Sequence, residues 1–132
     1  MKITADTNVL VRAITGDDER QSRIAQAQLA NADIVALAIP VLCELVWVLS
    51  QGYKSSSAEI AETIRRLLAG ANVVVNRPAA EAGLAVLEAG GDFADGAIAY
   101  EGNWLGAETF VSFDKKAVKL MDALGKAVRL LS

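Results

Sequence analysis

Five short apolar runs, separated by stretches with helical spacing, set the fold class of this chain. The runs cover residues 2–5, 33–39, 72–75, 109–113 and 127–131. Each is too short for a helix, and the run Val73-Val74-Val75 is wholly β-branched. Strands joined through intervening helices pair in parallel, because a parallel pair needs a long crossover. The expectation is an α/β fold with a central, mostly parallel sheet of about five strands. Right-handed crossovers place helices on both of its faces. No Pro/Gly/Ser linker and no internal repeat divides the 132 residues, so one domain over 1–132 is expected.

Local signals mark the ends of the helices. Val9, Leu10, Val11 and Ile14 suit a helix ending near Gly16. Asp17-Asp18 caps the next, with Ile24, Ala25 and Leu29 on one face. Pro40 fits a helix first turn, and the following helix continues over 41–49. Lys54-Ser55-Ser56-Ser57 is the most polar break. Ser57 is the expected cap for a helix carrying Ile60, Ile64, Leu67 and Leu68, which stops at Gly70. Pro78 opens a helix that ends at Gly90-Gly91. Asp92 opens another, and Asp114 precedes the last.

Composition narrows the chemistry. The chain has no histidine, which removes Ser-His-Asp hydrolysis, Cys-His catalysis and imidazole metal sites. A single cysteine, Cys43, forms no intrachain disulfide and no multi-cysteine zinc cage. Sixteen acids against 13 bases argue mildly against a broad surface coating nucleic acid. Hydrophobic residues make up 53 %, with a mean hydropathy of +0.32. That implies a generous core or apolar surface kept for a partner. Asp6 interrupts any signal-peptide core. The longest apolar stretch, 34–49, holds Pro40 and Glu44 and is too short to span a bilayer. A cytoplasmic protein with no membrane association is expected.

Proton or metal chemistry therefore falls to carboxylates. Asp6 follows the first strand and Asp114 the fourth, while Asp95 sits in a helix first turn. In an open parallel sheet these places line one edge, where sites form. Glu44 lies early in the helix after the second strand, among Leu42, Cys43, Leu45, Val46 and Trp47. A charge in that company is costly unless paired or on a metal. Capping is the simpler reading for Asp6, Asp92 and Asp114 taken singly, and the helix dipole favours Asp95. Both readings stay open here. Asp17, Asp18, Glu19, Glu59 and Glu62 read as solvated faces or caps. A carboxylate cluster without imidazole suits a hard cation, Mg²⁺ or Mn²⁺. Such an ion lowers the pKa of bound water and neutralises charge on a phosphodiester.

Four motifs, in order, give a resemblance over essentially the whole chain. Asp6-Thr7-Asn8-Val9-Leu10 after a strand resembles the opening of a PIN domain. The segment from Pro40 through Glu44 and Trp47 to Leu49 is similar to the helix carrying that family's glutamate. Gly91-Asp92-Phe93-Ala94-Asp95-Gly96-Ala97-Ile98 looks like its third acidic motif, and Thr109-Phe110-Val111-Ser112-Phe113-Asp114 like its fourth. The closest subgroup is the VapC-type toxins of bacterial toxin–antitoxin pairs. The resemblance implies a PIN-like three-layer sandwich and a Mg²⁺- or Mn²⁺-dependent endoribonuclease. It also implies a homodimer inhibited by a small antitoxin. Carried onto this sequence, Asp6, Glu44, Asp95 and Asp114 form the metal and catalytic site, with Asn8 and Ser112 as supporting polar groups. Threonine is frequent where Ser112 stands, and alanine where Gly96 stands. Glycine costs roughly 1 kcal/mol in a helix, so a looser helix start is expected there.

Arg12, Lys115 and Lys116 are candidates for RNA phosphate, beside the alternative of a solvated basic face that also includes Lys119. Trp47, Phe93 and Trp104 suit either base stacking or the core. Setting four metal-binding acids aside from the 16 removes the acidic excess over 13 bases. Two other readings fit less well. A haloacid-dehalogenase-type phosphatase needs an aspartate where Asn8 stands. A receiver domain needs a phosphoacceptor after Val75, where Asn76-Arg77 follow. A catalytically silent PIN-like interaction module, with the acids as caps, is the non-enzyme alternative.

Overall fold

All five strands pair in parallel, as the helix-by-strand alternation requires. The computed structural model describes residues 1–132 and divides into two units, Met1–Asn76 and Arg77–Ser132. The first contains β1 (Lys2–Thr4), α1 (Thr7–Thr15), α2 (Glu19–Asn31), β2 (Ile34–Leu37), α3 (Ile39–Gln51), α4 (Ser57–Leu68) and β3 (Val73–Val75). The second contains α5 (Arg77–Glu88), α6 (Phe93–Trp104), β4 (Phe110–Ser112), α7 (Lys115–Ala123) and β5 (Val128–Leu130). The strands form a sheet β1-β2-β3 and a pair β4-β5, rather than one ladder of five. Each strand is only three or four residues long, so each ladder rests on few hydrogen bonds. No helix is long and apolar enough to cross a membrane.

In the first unit the register sets Ile3 opposite Val35 and Ala36 opposite Val74. The Asp6 carboxylate caps α1 by accepting the Val9 N–H at 3.1 Å. Gly16 ends that helix at φ 69°, a left-handed conformation that glycine adopts without steric cost. Asp18 caps α2 through the Gln21 N–H. The Asn72 side-chain amide closes the other end of α2, donating to the Leu29 and Ala32 carbonyls at 2.8 and 2.9 Å. Those carbonyls belong to a last helical turn that has no partner of its own. The Tyr53 hydroxyl donates to Asp17, joining the loop after α3 to the loop before α2. Leu10, Leu42, Leu45 and Ile64 are fully buried in this unit. Each such side chain contributes about 1.5–3 kcal/mol relative to exposure.

Two expected boundaries shift. The run 33–39 supplies strand only over Ile34–Leu37, because Ala38 is the extended N-cap of α3 and Ile39 with Pro40 forms its first turn. Ser56, not Ser57, caps α4. It accepts the Glu59 N–H while Glu59 accepts the Ser56 N–H, a reciprocal box. From Ser57 the third residue on is the apolar Ile60, so no such box closes there. These bonds to Ser56 also hold the Glu59 carboxyl below its ordinary pKa.

In the second unit α5 and α6 approach unusually closely. A Cβ on Gly83 would come within 2.7–2.8 Å of the Phe93 ring, which is completely buried. A Cβ on Gly96 would run into the Ala82 carbonyl oxygen and lie 2.9 Å from the Gly83 Cα. Gly96 is therefore a contact point between helix backbones, not the loosening expected from propensity alone. Helix α7 packs on β4 and β5 and buries Met121.

Candidate functional site

Parallel strands deliver their carboxyl ends to following helices, and Asp6 and Asp114 occupy two of those junctions. Asp6 stands between β1 and α1 and is exposed. Its Oδ1 takes the Val9 amide, which orients the group and leaves Oδ2 without a hydrogen bond. Asn8 follows in the first turn of α1, exposed, and Arg12 lies one turn on, half-buried. Both border a groove of about 410 Å³ whose walls also include Ile3, Val9 and Ile24. Arg12 thus stands beside a largely apolar wall.

Glu44 corrects one sequence argument. Its neighbours in sequence are apolar, but the side chain is exposed, so burial does not force it to seek a partner. The helix sorts the residues: Leu42, Leu45, Val46 and Leu49 face inward, while Glu44 and Trp47 face out.

In the second unit the structure brings three acids together. Asp95, in the first turn of α6, is half-buried. Its pKa is raised above the ordinary aspartate value, first by burial and then by the charges of Asp92 and Asp114. The α6 N-terminus favours a carboxylate, but desolvation and like charge outweigh it. Asp92 caps α6 through the Ala94 N–H at 3.1 Å. Asp114 caps α7, its Oδ1 accepting the Lys116 and Ala117 amides at 2.9 and 3.1 Å. The Ser112 Oγ accepts the Asp114 N–H at 2.9 Å, fixing the turn that presents Asp114. Ser112 thus holds the Asp114 turn through a local bond that a threonine hydroxyl would also make. Lys115, Lys116 and Lys119 are exposed at the start of α7.

Capping does not use up Asp6 or Asp114, since each spends only one oxygen on a helix terminus. No group of three Asp, Glu or Cys side chains is arranged to hold a metal ion in this structure. The donor chemistry still fits a hard cation: Asp95 carries like-charge repulsion that a dication relieves.

A match to the PIN domain covers residues 3–123. The chain belongs to the PIN domain family. No curated protein matches it. PIN domains are typically nucleases, and those nucleases generally use divalent metals. The match spans Asp6, Glu44, Asp95 and Asp114 and runs through both units; β5 lies beyond it. Sequence reasoning gave little weight to one electrostatic contact in this PIN domain. Asp92 is an electrostatic neighbour of Asp95 besides being a cap, and its spacing of three from Asp95 at a helix start was the available signal. Trp47 shares the exposed face of Glu44, which the helical period also indicated.

Proposed function

We propose that this PIN domain is a Mg²⁺- or Mn²⁺-dependent endoribonuclease of VapC type, the toxin of a bacterial toxin–antitoxin pair. The observation that carries the reading is Asp95 held half-buried against the charges of Asp92 and Asp114. A stable fold gains nothing from such crowding, and a dication relieves it. Asp6, Glu44, Asp95 and Asp114 would hold the cation. Bound there, it supplies an acidified water and offsets charge on the scissile phosphodiester. The helix amides on Oδ1 of Asp6 and Asp114 orient those carboxylates before substrate arrives. Ser112 holds the Asp114 turn, and Asn8 offers an exposed amide beside Asp6. Arg12, Lys115 and Lys116 are the cations proposed to meet RNA phosphate. A cytoplasmic homodimer, restrained by a small antitoxin, completes the proposal.

The test is cleavage of RNA by purified protein with Mg²⁺, Mn²⁺ or EDTA, beside Asp6→Asn and Glu44→Gln. EDTA should abolish cleavage. Each variant should lose at least roughly 100-fold, the upper end for losing even an outer partner of a metal site. Cleavage unchanged in EDTA or in either variant overturns the mechanism. A second reading, a silent interaction module, draws on the caps made by Asp6, Asp92 and Asp114. Folded protein that neither binds metal nor cuts RNA would favour it. Light scattering that shows a strict monomer at micromolar concentration would remove the homodimer.

A further inference from the structure

The second unit leaves a row of large apolar side chains uncovered. Ile98 and Leu105, the latter at the C-cap of α6, share one side of that helix, being two turns apart. Val111 in β4 and Phe113 just beyond it alternate with Ser112, so both point to one side of the strand. All four are more than half exposed, Leu105 at 88 % and Phe113 at 72 %. Ile98 and Val111 line one groove of about 250 Å³, together with Gly102 and Phe110. Leu105 is not on a loose loop. Its N–H donates to the Glu101 carbonyl at 3.0 Å, and the Ala107 N–H donates to the Gly102 carbonyl at 2.9 Å. One face thus carries a fixed apolar knob and a hollow beside it.

We infer that a second copy of the chain docks on this face, about a two-fold axis that seats Leu105 of each copy in the groove of the other. The inference rests on the homodimer reading above and gives it a place. A two-fold contact needs a self-complementary face, because residue i meets j and j meets i. Knob and hollow side by side meet that need. Charge points to the same occupant. Glu108 and Lys126 border the groove, Glu101 lies one helical turn from Ile98, and Arg129 stands opposite Val111 in the ladder. All four are exposed, and neither Glu108 nor Lys126 has an ion pair within the chain. Two acids against two bases leave no net sign to attract nucleic acid or a strongly charged peptide. A two-fold axis instead sets Glu108 of one copy against Lys126 of the other. Area agrees as well. The four apolar side chains expose on the order of 500 Å², close to the apolar share of the roughly 800 Å² that each partner gives a standard interface.

The experiment is sedimentation equilibrium of the full chain across the micromolar range. Wild type should dimerise. Leu105→Asp should raise the dimer Kd roughly 30-fold or more, the loss expected of an anchor in a pocket. Its exposure keeps that substitution clear of the core, and circular dichroism checks that the variant is folded. Glu108→Lys and Lys126→Glu should each raise Kd at least about 10-fold, because each sets like charges against one another twice across the axis. The double reversal should return Kd to within about threefold of the wild type. A wild-type dimer indifferent to all of these variants overturns this face and leaves the homodimer standing. A double reversal no tighter than the single ones overturns the two-fold pairing. A monomeric wild type overturns the inference and the homodimer together. RNA cleavage plays no part in the measurement, so the nuclease reading is judged separately.

Discussion

Replacing Gly96 by alanine sets two effects of known size against each other. Alanine in place of glycine inside a helix gains about 1 kcal/mol of propensity. The added Cβ, however, would meet backbone of α5: the Ala82 carbonyl oxygen, the Ala82 carbonyl carbon at 2.8 Å and the Gly83 Cα at 2.9 Å. No rotamer change removes atoms of a helix backbone, so α5 and α6 must separate along their shared face. Overpacking costs about 1–3 kcal/mol, and a backbone obstacle places this case at the upper end. The net expectation is a loss of about 2 kcal/mol. For a chain between the size classes for which such shifts are known, that is a fall in Tm of roughly 6–10 °C. Circular dichroism during heating reads it directly. Gly83→Ala provides the contrast, because there the obstacle is the Phe93 ring. Phe93→Leu should recover part of the loss from Gly83→Ala and none of the loss from Gly96→Ala. A Tm for Gly96→Ala equal to or above that of the wild type would refute the reasoning, since propensity would then have prevailed over contact.

Two further outcomes follow from single side chains. Asn72→Ala strips both side-chain donors from the end of α2, and about 1–3 kcal/mol should be lost in urea unfolding; a change below roughly 0.5 kcal/mol would show the two bonds to be incidental. Asp95 has a raised pKa in the folded chain, so folding binds its proton more tightly than the unfolded state does. Its contribution is fully present below the ordinary aspartate pKa and is lost as pH rises through the raised value. In EDTA, Asp95→Asn should therefore be more stable than the wild type at neutral pH, with the gap closing in acid. An equal or lower neutral-pH stability for Asp95→Asn would count against the crowding of Asp95 by Asp92 and Asp114.

Much of the fold was legible because its signals are local. Asp6, Asp18, Asp92 and Asp114 all cap helices, as short polar side chains ahead of apolar helical spacing suggest. The five strands fall within the five apolar runs. Their division into sheets of three and two was not legible, since strand partners are chosen by contacts far apart in sequence. Gly96 shows the same limit in one residue: its propensity pointed to a loose helix, whereas its neighbour across space is what requires it. Glu44 failed differently. Sequence adjacency suggested burial, but the spacing of Leu42, Leu45, Val46 and Leu49 already left Glu44 and Trp47 on the other face. The neighbours of Asp95 were half legible, Asp92 through helical spacing and Asp114 only through the fold.

The two roles of Asp6 and Asp114, the helix cap that is seen and the metal ligand that is proposed, bear on how such a protein could lose its chemistry over generations. Asparagine caps a helix about as well as aspartate. A minimal codon change at either of these positions therefore removes the negative charge and keeps the helix start. Folding would impose almost no selection against that step, whereas alanine at the same place costs about 1 kcal/mol. On the nuclease reading, descendants of this chain could fall silent while remaining folded. Decay of the activity and decay of the architecture are uncoupled at these junctions, and asparagine at them would be the mark of a lineage that had taken this route.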